Sequence, residues 1–354
     1  MPAHPQTHTS DGDTSGAVER ASGGARRALI TGITGQDGSF LAELLLEHGY
    51  EVAGVTRTLQ AASAPERPTL GCSEHLRTRI ELVHGDLLAP ATLRTAIERV
   101  RPHEIYHLAG PSFIPASWDR PEETLRAIVG SAAAILETVR ELDPSMRVFV
   151  SASGAIFGDA PECPQREDTP CHPTTPYAVA KLAAHRLVGL LRAHDGLHAS
   201  SGIVFNHESE RRPEHFVTRR ITRAAAAISL GSQQELTLGD LDAVRDWSFA
   251  GDIVRGAWLM LQQERAEDYI LASGISHTVA DFARAAFACV GLEAERHLRV
   301  DPALVRPAES TPSVGDPAKA RARLSWTPQV DFQQLVERMV QADLRELRKT
   351  LARL

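Results

Sequence analysis

Tyr177 and Lys181 stand four residues apart in TPYAVAK, a spacing that puts both side chains on one face of a helix. A lysine ammonium there is expected to lower the tyrosine's pKa and to reach the ribose of a bound nucleotide. The phenolate can then take a proton from a substrate hydroxyl while hydride leaves the same carbon. Ser153, upstream at the end of the strand-like run RVFVSAS, can hydrogen-bond that same hydroxyl. YxxxK by itself occurs in many helices. It gains weight here from the strand-end serine and from a glycine-rich loop earlier in the chain.

That loop, TGITGQDG, places Gly32, Gly35 and Gly38 between a strand and an amphipathic helix. Glycines there permit a tight turn, close approach of a pyrophosphate to the backbone, and close packing of helix on strand. The second strand ends VAGVTR, where an NAD site would carry an acid against the ribose hydroxyls. Thr56 and Arg57 stand there instead, and Arg57 suits a 2′-phosphate, which predicts NADP with NAD as the alternative. The competing reading of Arg57 is a solvated surface arginine. Thr34, Gln36 and Asp37 in the loop, and the pairs Asp86-Leu87 and Leu108-Ala109, complete the expected dinucleotide contacts. His107 reads as a packing residue beside the cofactor.

Which elements must hold these groups? Strand-like runs at 80–86, 104–110, 147–153 and 199–206 alternate with helix-like stretches at 89–100, 121–143 and 175–196. Such alternation predicts an α/β, doubly wound parallel (Rossmann) sheet covered by helices on both faces. The expected organisation is a disordered tail over 1–26 and a nucleotide-binding domain over 27–205 with a returning segment near 247–265. A smaller C-terminal substrate-binding lobe is expected from 206–246 and 266–345. Residues 1–26 are rich in Gly, Ser, Thr and Asp and contain no signal-peptide-like apolar stretch.

The 354 residues carry a net charge of −7, which argues against a nucleic-acid surface. No apolar run approaches a membrane span. The four cysteines show no CxxC pair and no metal-ligand spacing, so reduced thiols in a cytoplasmic protein and no metal are expected.

With these motifs in place, the chain resembles the extended short-chain dehydrogenase/reductases, and among them GDP-mannose 4,6-dehydratase. The resemblance runs from about Ala28 to near Leu344 and is carried by TGITGQDGSFLAELLLEHGYEV, VFNHESERRPEHFVTRRI, LGDLDAVRDW and AWLMLQ. It implies a GDP-hexose substrate and a tightly bound dinucleotide. It assigns Asn206, Arg220, Arg245, Arg306 and Glu309 to the GDP-sugar. Physically, a nucleoside diphosphate needs positive charge and planar donors, which Arg219, Arg220, Arg245 and Arg306 can supply. Glu208 and Arg211 could form an internal ion pair.

Two departures from the resemblance matter. TLQAASAPERPTL stands where the family has an arginine- and serine-rich loop that helps join subunits, which puts the family's tetramer in doubt. A homodimer through the helices near 121–143 and 175–196 is expected. The second departure is SASGAIFG (151–158), where Ala155 occupies the place of the family's catalytic glutamate. That carboxylate takes the C5 proton after C4 oxidation and helps expel the C6 hydroxyl. An alanine methyl can do neither, and the small pair Gly154-Ala155 also resembles the 4-epimerases. The leading expectation is therefore a GDP-mannose-type 4-epimerase (GDP-mannose/GDP-talose) with Ser153, Tyr177 and Lys181 as its catalytic residues. The alternatives are a 4,6-dehydratase whose acid has moved to Glu162, Glu167, Cys171 or His172, a 4-keto-sugar reductase, a 3,5-epimerase, and a non-catalytic GDP-sugar sensor.

Overall fold

The run ALIT in the first strand is buried at every position, as a strand covered on both faces must be. Ala28 and Ile30 pack into one apolar cluster and Leu29 into another on the opposite face. The computed structural model describes residues 24–58, 69–304 and 312–353. Residues 1–23 of the tail expected over 1–26, most of the loop TLQAASAPERPTL, and both Arg306 and Glu309 lie outside the described residues.

Strands β1 (Arg27–Thr31), β2 (Glu51–Thr56), β3 (Glu81–His84), β4 (Glu104–His107), β5 (Arg147–Ser151) and β6 (Ala199–Val204) fall where the sequence places them. The chain then forms β7 (Asn206–Glu208), β8 (Leu236–Leu238), β9 (Val244–Phe249), β10 (Tyr269–Leu271), β11 (Ser276–Thr278) and β12 (Leu298–Val300). The main sheet has the order β10-β6-β5-β4-β1-β2-β3, and every pairing in it is parallel. It is the doubly wound Rossmann arrangement, whose strand order reverses between β1 and β4.

Helix ends follow local chemistry. The helix Pro176–Asp195 opens with the Thr175 hydroxyl accepting from the Ala178 N–H and with Pro176 in its first turn. It stops at Gly196, whose φ of 70° is the left-handed cap. The helix Gln36–Glu47 ends at His48-Gly49, as the glycine predicts.

Three details differ from the sequence reading. The stretch 121–143 is not one uniform helix: Pro121–Leu125 and Ser131–Leu142 flank a π-helical turn, Arg126–Gly130. There the Ser131 hydroxyl donates to the Ala127 carbonyl and also meets the buried His107 ring, an insertion that the sequence periodicity does not register. Tyr269–Leu271, assigned above to the lobe, is the outer strand of the main sheet beside β6. Arg26, assigned to the tail, is fixed by Glu104 and Gln262.

Beyond β6, β11-β9-β7 form a small sheet and β12-β8 a two-stranded ribbon. The helices Val217–Ser229, Val279–Ala288 and Phe332–Leu351 close a third apolar core around Trp247, Phe282 and Phe287. The helix Ala250–Gln262 instead packs with the helix Gln36–Glu47 in the first cluster. No helix among the described residues is long and apolar enough to cross a membrane.

Candidate active site

A cleft of about 2090 Å³ lies over the carboxyl ends of the parallel strands, where doubly wound sheets place their ligands. Its floor at β1 is shaped by backbone. Gly32 has φ of 79°, and a Cβ there would lie 3.0 Å from the Ala109 nitrogen. A Cβ on Gly38 would fall 2.2 Å from the Gly32 carbonyl oxygen, so neither position admits a side chain. The helix after Gly35 begins without a side-chain cap, leaving its first N–H groups to a ligand or water. These features fit a dinucleotide pyrophosphate.

Thr31 ties the two strands at the order reversal, its hydroxyl oxygen accepting from the N–H groups of Leu108 and Ala109 at 3.1 Å each. Its proton goes to His107 Nδ1 at 2.8 Å, and His107 Nε2 then donates to Ser131 at 2.9 Å. Burial, with the nearby Lys181 charge, holds the His107 pKa down at about 3. His107 is a neutral ring that fixes the strand ends.

Gly32, Thr34, Gly35, Gln36, Asp37, Gly38, Arg57, Asp86, Leu87, Leu108 and Ala109 all line the cleft, as do Ser153, Tyr177, Lys181, Asn206, Arg220 and Arg245. The structure thus brings these residues together in one cleft, whereas Arg219, also offered as a diphosphate partner, is not in its lining.

At its centre the Lys181 ammonium donates to the Ser151 carbonyl at 2.7 Å and sits 5.8 Å from the Tyr177 ring centroid. Burial lowers the Lys181 pKa to about 8 against the opposing pull of Asp37. The expected lowering of the tyrosine is not what the protein alone provides. Burial pushes the Tyr177 pKa up, while a hydrogen bond from Ser153 and the charge of Arg212 oppose it.

After Ser153 the chain makes a short 3₁₀ turn, Gly154–Ile156, in which the Ala155 N–H donates to the Ser153 oxygen at 3.2 Å. A Cβ on Gly154 would touch the Phe205 ring at 3.0 Å, so that glycine makes room for Phe205. Ala155 is half-buried, lies in the cleft lining and packs against the apolar core behind it. The four relocated-acid candidates lie outside the lining. Glu162 accepts from the Thr169 hydroxyl, and Glu167 from the Ile270 N–H at 2.9 Å. The His172 backbone pairs with Gly158, and burial raises the Cys171 thiol pKa. Asp159, which the sequence reading passed over, does line the cleft.

On the far side, Asn206 opens β7 opposite Trp247, and Arg245 lies on β9 with its guanidinium donating to the Val244 carbonyl. Arg220 is exposed and donates to the Thr237 carbonyl at 2.9 Å. Arg219 is different. It is buried, bonded to Asp343 at 2.8 Å and to the Glu210 and Arg212 carbonyls, and holds a helix pair together away from the cleft. Glu208 and Arg211 do not pair with each other: Glu208 takes Arg212 at 3.1 Å, and Arg211 takes Glu43 at 2.7 Å.

Sequence reasoning missed His207, Arg212, Phe113, His215 and Phe216 in the lining. His207 Nε2 meets Asp37 at 2.9 Å and so joins β7 to the glycine loop. Burial works to raise the Asp37 pKa, yet the charge and hydrogen bond of His207 hold it at about 2. Burial likewise works to lower His207, and Asp37 carries it above its ordinary value. The run NHESERR was legible as part of a resembling passage. Its partner 170 residues earlier was not.

The fold and the Ser-Tyr-Lys centre beside a dinucleotide cradle define an extended short-chain dehydrogenase/reductase of the nucleotide-sugar epimerase and dehydratase class. The family profile described as GDP-mannose 4,6 dehydratase matches residues 29–339, and the chain belongs to that family. It is 43% identical over 323 residues to GDP-mannose 4,6 dehydratase 1 of Arabidopsis thaliana, covering 90% of this chain and 89% of that protein. It is 41% identical to the GDP-mannose 4,6-dehydratase of Sinorhizobium fredii, covering 91% of this chain and 98% of that one. Among solved structures, UDP-glucose 4-epimerase of Thermotoga maritima superposes with a TM-score of 0.78 at 22% identity, over 92% of this chain and 99% of that chain. RMD from Pseudomonas aeruginosa, complexed with NADPH, gives 0.76 at 23%, over 91% and 100%. These two show the shared fold.

Proposed function

We propose that the protein is a GDP-hexose 4-epimerase, acting by oxidation at C4 and interconverting a GDP-mannose-type sugar with its talo partner. One observation supports the reading: Ala155, which carries no carboxylate, stands in the cleft lining two residues after Ser153, and the four candidate substitutes lie outside that lining. Removing a C5 proton needs a base at that place, whereas C4 chemistry needs only groups that line the cleft.

Tyr177 takes the O4 proton, Ser153 holds that oxygen, and Lys181 anchors the ribose beside it. A bound nicotinamide dinucleotide supplies the hydride acceptor and donor for C4. The glycine loop, Asp86-Leu87 and Leu108-Ala109 would hold it, and exposed Arg57 at the end of β2 favours NADP. Asn206, Arg220 and Arg245 would take the diphosphate and sugar oxygens, with Arg306 and Glu309 assigned by resemblance. A homodimer and a cytoplasmic location belong to the same reading.

A second reading, a 4,6-dehydratase, is favoured by the names of the relatives and by the Asp159 carboxylate in the cleft. Incubation of wild type and Ala155→Glu with GDP-mannose, followed by NMR of the products, separates the two. The 4-epimerase reading expects a talo product from wild type and new 4-keto-6-deoxy sugar only from the variant. A 4-keto-6-deoxy product from wild type would overturn it.

A further inference from the structure

The helix Gln36–Glu47 opens with the turn Gln36-Asp37-Gly38-Ser39, whose first three residues line the cleft. Its N–H groups are the seat for a dinucleotide pyrophosphate. The helix body is held by Leu41, Ala42 and Leu45 in the first apolar cluster. The turn itself has no apolar side chain, so polar groups and backbone must fix it. Its side chains are tied to one distant segment, 207–211. The Ser209 hydroxyl donates to Gln36 Oε1 at 2.7 Å, and Gln36 Nε2 donates to the His207 carbonyl at 3.2 Å. Arg211 donates to the Ser39 hydroxyl at 2.9 Å and to Glu43 at 2.7 Å, with its guanidinium 3.9 Å from the Phe40 ring centroid. His207 closes the set on Asp37 at 2.9 Å.

Gln36 Nε2 also donates to Asp37 Oδ1 at 3.0 Å, so both amide hydrogens and the amide oxygen are used inside the protein. The side chain of Gln36 serves this clasp, and the turn meets a ligand through its backbone. Ser209 is at the centre of the clasp. It is fully buried, and its oxygen accepts from the Arg211 N–H at 3.0 Å while its proton goes to Gln36. The strand that leads into Ser209 has an anchor that the turn lacks: β7 is paired along β9, and Glu208 accepts from the Thr218 hydroxyl at 2.7 Å. The turn therefore takes its position from the strand. We infer that Ser209 is a positioning residue for the dinucleotide: through Gln36, and with Arg211 through Ser39, it sets the turn where its N–H groups meet the pyrophosphate. Retention of the dinucleotide then depends on a hydroxyl that does not touch it. The inference rests on the dinucleotide cradle alone, and it holds equally for a reaction confined to C4 and for a dehydration.

The test uses the full-length protein saturated with NADP, or with NAD where that is what wild type releases on denaturation. The holoenzyme is diluted into nucleotide-free buffer, and the dinucleotide still bound is followed by ultrafiltration and absorbance. GDP affinity is measured beside it by calorimetry. Ser209→Ala leaves Gln36 Oε1 and the Arg211 N–H without their partner, so release should be faster by about tenfold or more. GDP affinity should stay within about twofold, because the β7 and β9 pairing is untouched. A residue that merely supports the fold would weaken both ligands together. Unchanged release from Ser209→Ala would overturn the inference, as would an equal loss for dinucleotide and GDP. If that variant does not fold, Arg211→Met decides by the same two outcomes. It keeps an apolar stem over Phe40, loses the bonds to Ser39 and Glu43, and should speed release by about three- to tenfold.

Discussion

The two ends of the cleft are built differently. At the β1 end the shape is backbone: Gly32 and Gly38 admit no Cβ, and Thr31 bonds main-chain N–H groups. At the Asn206 end the shape is side chains that meet from distant segments: Arg212 on Phe216, Phe113 against His215, His207 on Asp37. The first design leaves one ligand geometry and tolerates few substitutions. The second is set by a handful of side chains, so exchanges among them are expected to alter the ligand more than the fold.

The sharpest way to break this comparison is at the residue both ends share. Tyr177→Phe should lower turnover by about 10²–10⁴-fold while GDP affinity stays within about twofold, since only the proton acceptor is lost. Steady-state rates with calorimetry check it, and turnover above about a tenth of wild type would remove Tyr177 as the base.

Next come two adjacent arginines. Arg219→Ala strands the fully buried Asp343, so unfolding free energy should fall by about 3–5 kcal/mol, with GDP affinity of the folded fraction unchanged. Arg220→Ala should leave stability within about 0.5 kcal/mol and weaken GDP binding by about tenfold or more. Denaturant titration paired with calorimetry distinguishes them, and the reverse pattern would mean that the cleft has been placed on the wrong side of that helix.

The smallest effect is the link between the two ends. The Asp37 pKa is depressed, so its contribution is present above its unfolded value of 3.8 and is lost as pH falls towards about 2. The His207 pKa is raised, so its contribution is complete below 6.5 and is lost as pH rises through the higher folded value. Wild type should therefore exceed His207→Gln in stability by about 1–2 kcal/mol between roughly pH 4 and 6.5, with the gap closing at alkaline pH. Thermal unfolding across that range measures it. A gap that is constant with pH would show that the pair carries no charge.

Much of the β1 end was legible in the sequence because its rules are local. Three glycines between a strand and a helix fix a turn, and a tyrosine four residues before a lysine fixes a helix face. Asn206, Arg220 and Arg245 were legible as charge and amide types in a resembling passage. What could not be read was which of two neighbouring arginines turns inward, because that depends on Asp343 lying 124 residues away. The π-helical turn at 126–130 escaped for the same reason: it answers to His107 on another strand. The reason for a glycine at 154 escaped likewise, because a Cβ there would meet the Phe205 ring, which follows β6.

If Ala155 leaves C5 without a base, the reaction stays at C4. The direct measurement is turnover of GDP-mannose in heavy water, with product NMR reading each carbon position. Inversion at C4 is expected, with no deuterium at C3 or C5 and with the substituents at C5 unchanged from substrate to product. Deuterium at C5, with or without loss of the C6 oxygen, would contradict it and point to Asp159 as the base.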